Sequence, residues 1–241
     1  MEHLKDHIMS YWTKRAPSFA GQRLREWESG KRDLWLREFE GYLLKGRPLR
    51  ILDVGTGTGF FACLLATQGH KVTGIDFAEE MLRNAEAAAR RLGVKVRFAV
   101  MDAEAPDFPQ ESFDAVVTRN LTWTLPHLEE AYRSWYGLLV KGGLLINFDA
   151  DYCHEFSDAE DIALLPDHAH KQIPADLLRE GDEITLELCA YQKRRPEWDV
   201  RLLLDAGFSR VAVDAGVWKR IYAEPDEFYN PTPIFTLTAV K

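Results

Sequence analysis

Residues 51–61 read ILDVGTGTGFF, and this stretch decides how the surrounding chain folds. A short apolar run ends in Asp53 and is followed by Gly55, Gly57 and Gly59, which alternate with threonines. Because glycine has no Cβ, a ligand or a neighbouring element can approach its backbone closely. The stretch therefore predicts a strand, a tight turn and a helix, with a close contact at the turn.

From residue 49 onward, short apolar runs alternate with stretches of helical spacing. The apolar runs read LRILDVG, KVTGID, KVRFAVMD, FDAVVTRN and LLINFDAD. Strands that alternate with helices build βαβ units, in which parallel strands carry helices on both faces. We therefore predict an α/β fold, a Rossmann-like three-layer sandwich with a seven-stranded, mostly parallel sheet. The last run, PIFTLTAVK, is expected to enter the sheet antiparallel.

The predicted elements divide the 241 residues into four parts of one domain. Residues 1–46 show helical spacing, and residues 47–150 hold the glycine loop and five strands. Residues 151–195 interrupt this rhythm with prolines, many acids and short helical patterns, so we expect an inserted helical cap. A closing helix and the last strands follow in residues 196–241.

The composition, 46% hydrophobic and 28% charged, is typical of a globular protein, and no apolar run is long enough to span a membrane. The net charge of −8 argues against general nucleic-acid binding. Residues 14–50 hold ten Lys/Arg and five acids, whereas residues 151–190 hold two Lys/Arg and eleven acids. We interpret both segments as solvated helical faces; alternatively, the acidic one covers a pocket that prefers neutral or cationic substrates.

The cysteines and the N-terminal sequence bear on the cellular compartment. Cys63, Cys153 and Cys189 are scattered and odd in number, which argues against a disulfide framework. The opening MEHLKDHIMSYW contains early acids and lacks the apolar segment of a secretory signal. We therefore expect a cytoplasmic location.

Three kinds of ligand compete for the glycine loop. A P-loop needs G-x-x-x-x-G-K-[ST], and no lysine follows these glycines. The dinucleotide fingerprint of a dehydrogenase needs G-x-G-x-x-G, but Phe60 stands at the third glycine position. An acid at a strand end followed by G-x-G-x-G resembles the first motif of class I S-adenosylmethionine (SAM)-dependent methyltransferases, in particular their small-molecule, type 11 branch. A tight turn that binds nothing is the remaining alternative.

The resemblance implies roles for acids at three consecutive strand ends. Asp53 would contact the methionine part of SAM, Asp76 both ribose hydroxyls, and Asp102 the exocyclic amine of adenine. Ligands of open α/β sheets bind at the carboxyl ends of the strands, so all three acids should face one crevice. Alternatively, Asp76 caps the next helix, and any one of these acids is a turn former. The cofactor-binding set that the resemblance implies comprises Asp53, Gly55, Thr56, Gly57, Gly59, Asp76, Phe77, Met81, Asp102, Ala103, Arg119, Asn120, Tyr11 and Arg15.

Other stretches are similar to the same family, well over about residues 45–150 and more loosely beyond. FDAVVTRN would bring Arg119 and Asn120 to the sulfonium end, and LLVKGGLLI matches the glycine turn before the fifth strand. YWTKRAPSF resembles a lid helix from which Tyr11 and Arg15 would close over the cofactor's carboxylate. Alternatively, this helix is amphipathic and only packs its aromatic residues into the core.

The activity that the resemblance implies is methyl transfer from SAM to an O, N or S atom of a small molecule. The reaction is an in-line displacement that releases S-adenosylhomocysteine (SAH), for which the protein supplies alignment, water exclusion and at most a weak general base. Each candidate base also has a structural alternative, in a turn or at a solvated surface. The candidate bases are His127, Asp149, Asp151 and His154, and the expected substrate-pocket residues are Asn120, Trp123 and His127.

Several absences narrow the substrate and cofactor classes. RNLT follows the fourth strand in place of the N-P-P-[YF] tetrad of enzymes that methylate adenine amines in nucleic acid, and no cysteine there could attack a pyrimidine ring. We expect a small-molecule partner, no membrane or nucleic acid, and a monomer or homodimer. A non-catalytic SAM-binding regulator or scaffold and an RNA or protein methyltransferase are the alternatives. The following residues match no structural zinc spacing, so no metal is expected: Cys153, His154, Asp167, His168 and His170.

Overall fold

A computed structural model describes residues 2–43, 46–154, 168, 171 and 173–241 of the chain. Eight α-helices and seven strands lie in this part. The helices are α1 Glu2–Glu28, α2 Lys31–Tyr42, α3 Phe60–Thr67, α4 Glu79–Leu92, α5 Leu128–Leu138, α6 Ala175–Cys189, α7 Glu197–Asp205 and α8 Val217–Ile221. The strands are β1 Arg50–Val54, β2 Lys71–Asp76, β3 Val96–Val100, β4 Phe113–Arg119, β5 Leu139–Ala150, β6 Ser209–Asp214 and β7 Ile234–Val240.

The strands form one sheet in the order β3-β2-β1-β4-β5-β7-β6. The pairs from β3 to β5 are parallel, and β7 runs antiparallel to both β5 and β6. The predicted α/β sandwich with a seven-stranded, mostly parallel sheet and an antiparallel last strand is confirmed. The strand order reverses between β1 and β4, which leaves a crevice at the carboxyl ends of these strands.

The sheet is covered on both faces by apolar side chains, as the unbroken apolar runs predict. On one face, Trp35 and Phe39 of α2 meet Phe61 and Phe148 edge to face, with ring centroids 4.8–5.5 Å apart. On the other face, Trp135 of α5 is fully buried. This packing makes the centre of the sheet a rigid support for the loops that follow its strands.

Two local features differ from the predicted elements. The helical spacing of LEEAYRSWYGLLVKGG predicts a helix that runs to the glycines, but α5 ends at Leu138, because Leu139 is already extended and begins β5. Gly142 then adopts a left-handed φ of +76°, and the register of β5 against β4 shifts between Phe113 and Ala115. The short helix α8 is absent from the sequence prediction, since five residues are too few to show a period.

The cysteine pattern argued against a disulfide framework, and this expectation is wrong for one pair. Cys153, just after β5, forms a disulfide with Cys189 at the end of α6, with Cα atoms 5.2 Å apart, while Cys63 is buried and free. The disulfide joins the end of α6 to the residues just after β5, a proximity that the spacing of 36 residues does not reveal. Disulfides are typical of oxidising compartments, so the cytoplasmic location loses one argument and stays a prediction.

Helix α6 is the one α-helix among the described residues of the predicted cap, and residues 155–167, 169, 170 and 172 lie outside the described residues. Leu188 and Ile184 of α6 pack on Leu4 and Ile8 of α1. The N-terminal helix and the cap therefore form one wall above the carboxyl edge of the sheet. No helix in the described ranges is long and apolar enough to cross a membrane.

Candidate active site

A cavity of about 770 Å³ lies at the carboxyl ends of β1, β2 and β4. Its floor is the loop after β1, and its walls come from α1, α6 and the loop that precedes β7. This volume is within the usual range of small-molecule sites, about 300–1,000 Å³. Most of the residues proposed for cofactor binding line this cavity: Tyr11, Arg15, Asp53, Gly55, Thr56, Gly57, Asp76, Phe77, Met81, Asp102, Ala103, Arg119 and Asn120.

The three glycines of the loop all have left-handed φ values, between +53° and +82°, that side chains disfavour. A Cβ on Gly55 would lie 2.7 Å from the Leu121 side chain. Gly57 faces Phe19 of α1, whose Cε1 would be 3.4 Å from such a Cβ. Gly59 does not line the cavity, because it faces Ala85 of α4 at 3.0 Å. The first two glycines thus shape the floor, and the third lets α4 approach.

Asp53 ends the apolar run of β1 and is 2% exposed. Its Oδ2 accepts a hydrogen bond of 2.6 Å from the Thr56 hydroxyl. Burial raises the pKa of the Asp53 carboxyl to about 7, because no cation pairs with it directly. A ligand cation next to Asp53 would favour the ionised form.

Asp76, at the end of β2, connects the glycine loop to the start of α4. Its Oδ2 accepts from the Gly57 N–H at 3.0 Å, and its Oδ1 accepts from the Ala78 N–H at 2.9 Å. Burial raises the pKa of Asp76 to about 6. The N-cap of α4 is Ala78, which has no side-chain cap, so Asp76 does not cap the helix but holds the turn before it with the carboxyl group that lines the cavity.

Asp102 follows β3 and is the most exposed of the three acids, with 46% of its side chain accessible. Its Oδ2 accepts from Lys5 Nζ at 2.8 Å, and its Oδ1 accepts from the Glu104 N–H at 2.8 Å. Phe77 and Met81 line the cavity beside it. Lys5 thus connects the N-terminal end of α1 to the strand end proposed for adenine.

One face of α1 lines the cavity along most of its length, in steps of three or four residues. The face runs from Lys5, beside Asp102, to Arg23, near Arg119. The lining residues on this face are Lys5, Ile8, Tyr11, Trp12, Arg15, Phe19, Gln22 and Arg23. Tyr11 and Arg15 were predicted here. Arg23 was missed, although its spacing from Phe19 places it on the same face.

Glu26, Arg23 and Arg119 form a buried charge group that we call the open arginine cluster. Glu26 accepts from Arg119 Nη2 at 2.8 Å and pairs with Arg23 Nη1. Burial alone would raise the pKa of Glu26, but Arg119 and Arg23 outweigh it and lower that pKa to about 2. Arg119 Nη1 and Arg23 Nε are buried without a hydrogen-bond partner among the described residues. Two cations thus share one carboxylate at the cavity wall.

Asp149 and Asp151, two candidate bases, lie behind the cavity wall around the fully buried Arg195. Arg195 Nε and Nη2 donate to Asp199 at 2.8 and 2.5 Å, and Nη1 lies 3.3 Å from Asp149. The backbone N–H of Arg195 donates to Asp151 at 3.1 Å. We call Arg195 with these three acids the closed arginine cluster. Its contacts favour a structural role for both candidate bases.

The two histidine candidates also have carboxylate partners. His127 Nδ1 lies 2.9 Å from Glu104, and His154 Nδ1 lies 2.8 Å from Asp151. Of the residues that the structure describes, Trp123 and Asn120 line the cavity as expected, whereas His127 and His154 do not. A catalytic role for any of the four candidates stays a prediction.

Sequence reasoning missed several cavity residues, among them Tyr152, His168 and Asn230. The imidazole of His168 donates from Nε2 to the Tyr229 carbonyl at 2.7 Å. Tyr152 and Asn230 come from segments that the sequence marked only as cap and closing region, so no signal identified them. The described residues include no group of three His, Cys, Asp or Glu that could hold a metal; Asp167 and His170 lie outside them.

Residues 51–143, from β1 into β5, match the model of a family described as "Methyltransferase domain". The matched segment is similar to methyltransferase domains. It contains the glycine loop, the three strand-end acids and Arg119, so the resemblance to class I SAM-dependent methyltransferases is confirmed where the motifs predicted it.

Relatives of this chain differ in the compounds that they are named for. A demethylmenaquinone methyltransferase of Thermus thermophilus is 39% identical over 114 residues, which cover 46% of this chain and 52% of the relative. A malonyl-[acyl-carrier protein] O-methyltransferase of Paenibacillus is 28% identical over 189 residues, 76% of this chain and 64% of the relative. The chain spans about half the length of most of the curated relatives it matches.

Among solved structures, a phosphoethanolamine N-methyltransferase 2 of Haemonchus contortus in complex with SAM superposes with a TM-score of 0.61. It is 18% identical, and the match covers 86% of this chain and 51% of that one. At this identity, the likeness concerns the fold alone.

Proposed function

We propose that this chain is a SAM-dependent methyltransferase that acts on a small molecule. One observation carries the proposal: three strand-end acids, Asp53, Asp76 and Asp102, line a single cavity in chain order behind the glycine loop. A binding crevice at a reversal of strand order is where open α/β sheets hold their ligands. A turn that binds nothing would not require three acids at one cavity.

The residues present fit the parts of SAM. Asp102, with Phe77 and Met81, would hold adenine, and Asp76 the ribose. The unpaired nitrogens of the open arginine cluster suit a carboxylate, and Asp53 suits an ammonium. When bound, the cofactor supplies an activated methyl group on its sulfonium. Helix α1 would then cover the ligand from end to end, which excludes water and aligns the reactants.

The acceptor would occupy the part of the cavity between Trp123, α6 and the loop before β7. An O, N or S atom of a small molecule is the proposed methyl acceptor. Relatives named for demethylmenaquinone, phosphatidylethanolamine and ubiquinone biosynthesis support a small molecule without selecting one. A monomer or homodimer in the cytoplasm remains part of the proposal.

Calorimetric titration with SAH tests the binding site, and a product assay with SAM and a small-molecule library tests transfer. We expect SAH to bind to the wild type and to lose at least tenfold in affinity in Asp76→Ala. Asp107→Ala, at an exposed position outside the cavity, is the control. Binding without transfer to any compound would favour the non-catalytic regulator, and absence of SAH binding at millimolar concentration would reject the proposal.

A further inference from the structure

Four residues form a hydrogen-bonded chain that ends at the cavity, and we call this chain the amide relay. The Thr232 N–H donates to Asn230 Oδ1 at 3.1 Å, and Asn230 Nδ2 donates to the Tyr152 hydroxyl at 2.8 Å. The Tyr152 hydroxyl donates to Asn120 Oδ1 at 3.2 Å. Asn120, Tyr152 and Asn230 all line the cavity, so the relay lies in its wall.

The direction of the relay follows from its first member. A backbone N–H can only donate, so the atom of Asn230 that faces Thr232 must be the carbonyl oxygen. The amide nitrogen of Asn230 therefore faces Tyr152 and donates to it. Which end of an asparagine carries the nitrogen must be assigned from such partners, and here the backbone assigns it.

The second half of the relay is fixed in the same way. Because the Tyr152 oxygen accepts from Asn230, its single proton is available for Asn120, whose oxygen end must face it. Burial raises the pKa of Tyr152, so its hydroxyl keeps that proton. The amide nitrogen of Asn120 is left over, and it donates to none of the residues that the structure describes. The relay thus presents N–H donors at the cavity.

Asn120 is held firmly in this place. Its φ is +52°, a left-handed value that asparagine tolerates better than most residues, and its N–H donates to the Phe148 carbonyl at 2.8 Å. Such backbone outliers are found most often at functional sites. Asn120 directly follows β4, and its neighbour Leu121 contacts Gly55 of the cofactor floor. The donor therefore lies beside the place where the methyl group would arrive.

Aromatic rings flank the end of the relay. The rings of Trp123 and Tyr152 lie 4.9 Å apart between centroids, at an angle of 53°. Both line the cavity, together with Phe228 and Tyr229 of the loop before β7. A planar ring gains contact area against such walls with little loss of entropy.

We propose that Asn120 Nδ2 donates a hydrogen bond to an oxygen of the acceptor, which is a planar ring compound that carries a hydroxyl or carbonyl oxygen. An alkylammonium group offers only donors, so it would face the Asn120 amide nitrogen without a hydrogen bond. Tyr152 and Asn230 are positioning residues, because they act only through Asn120. This inference rests on the proposed function and selects oxygen-bearing acceptors within it.

The test uses 1-naphthol and 1-naphthylmethylamine, which share a ring system but differ in hydrogen-bonding character. Each compound is titrated calorimetrically into the wild-type protein saturated with SAH. We expect 1-naphthol to bind at least tenfold more tightly than the ammonium compound. Equal affinities, a preference for the ammonium, or no binding of 1-naphthol would overturn the inference. If SAH itself binds, such a failure leaves the proposed function intact.

Two variants test the relay itself. Asn120→Asp replaces the donors by a carboxylate, so 1-naphthol should lose at least tenfold in affinity and the ammonium compound should gain. Tyr152→Phe frees the Asn120 amide to turn over, so the preference for 1-naphthol should fall about three- to tenfold. SAH affinity should change by less than twofold in Tyr152→Phe, and Asn120→Asp is compared at saturating SAH because Asn120 also belongs to the expected cofactor-binding set. A variant that binds SAH normally but keeps the wild-type preference would contradict the relay.

A matched control makes the same chemical change elsewhere. Asn84→Asp alters an asparagine of α4 whose Nδ2 donates to the Glu80 carbonyl and which does not line the cavity. It should keep both affinities and the preference between the two compounds. The same loss of preference in Asn84→Asp would show that the effect of Asn120→Asp comes from net charge and not from the relay.

Discussion

The two buried arginine clusters combine guanidinium groups and carboxylates in opposite proportions. In the closed cluster, one guanidinium contacts two acids, Asp199 and Asp149, and each of the Arg195 side-chain nitrogens has a partner. In the open cluster, two guanidiniums share Glu26, and Arg119 Nη1 and Arg23 Nε have no partner among the described residues. The closed cluster lies behind the cavity wall, while Arg23 and Arg119 line the cavity.

The difference separates stabilisation from binding. A buried charged group whose donors are all paired has no donor free for a ligand. Its removal leaves the opposite charges of its partners buried without compensation. A buried donor without a partner carries an energetic penalty that an incoming anion can relieve. The same residue type can therefore stabilise the fold in one place and bind a ligand in another.

The largest expected effect comes from breaking the closed cluster. Arg195→Met leaves Asp149 and Asp199 buried without a cation, which should lower the free energy of unfolding by about 3–5 kcal/mol. Urea denaturation measures this change. Arg194→Met, at the exposed neighbouring position, is the control and should change stability by less than about 0.5 kcal/mol. A loss below about 1 kcal/mol in Arg195→Met would refute the structural role of this cluster.

The acid dependence of stability should identify Glu26 as the anion of the open cluster. Its pKa is 4.5 in the unfolded chain and about 2 in the folded protein, so its stabilising contribution is complete above pH 4.5 and is lost as the pH falls towards 2. The full contribution corresponds to about 3 kcal/mol. Urea unfolding of the wild type and Glu26→Gln between pH 6 and 2.5 should show their difference shrinking with acid. A constant difference would contradict this assignment.

Removal of the Arg119 guanidinium from the open cluster should weaken ligand binding more than it lowers stability. Arg119→Gln removes the unpaired donor, so affinity for SAH should fall about 10- to 100-fold, the value of one hydrogen bond to a charged group. 5′-Methylthioadenosine lacks the amino-acid part and should bind to the variant and to the wild type alike. Calorimetry with both ligands is the measurement. Equal losses for both would mean that Arg119 supports the cavity and does not contact the carboxylate.

The smallest effect expected concerns the pH dependence of SAH binding. The pKa of Asp53 is about 7 without ligand, and an ammonium group beside it favours the carboxylate. Below pH 7, binding must therefore release a proton, and affinity should fall by at most about tenfold per pH unit as the pH decreases. Above pH 7 it should be level. Asp53→Asn cannot titrate at this position, so its affinity should lack this slope between pH 8 and 6.5, above the range in which Asp76 titrates.

The residues of the cavity floor could be predicted because short stretches of sequence determine where they lie. Asp53, Asp76 and Asp102 each end an apolar run, and parallel strands bring their carboxyl ends to one edge whatever the rest of the chain does. The same logic correctly placed Arg119 and Asn120 at the end of β4. Their functional roles still await the experiments above.

The walls could not be predicted because their partners are distant in sequence. Glu26 and Arg119 are 93 residues apart, and Asp149 and Arg195 are 46 apart. A strand-end position made Asp149 a candidate base, but only the fold shows that a guanidinium occupies its other side. The disulfide was missed for the same reason.

The disulfide between Cys153 and Cys189 has a consequence for the connectivity of the molecule. The disulfide and the chain between these two residues, which are 36 positions apart, together form a covalent ring. A single peptide-bond cleavage inside the ring would leave the polypeptide in one piece, so the core and α6 would stay joined. Such a nicked protein would run as one band in denaturing electrophoresis and as two after treatment with a thiol reductant.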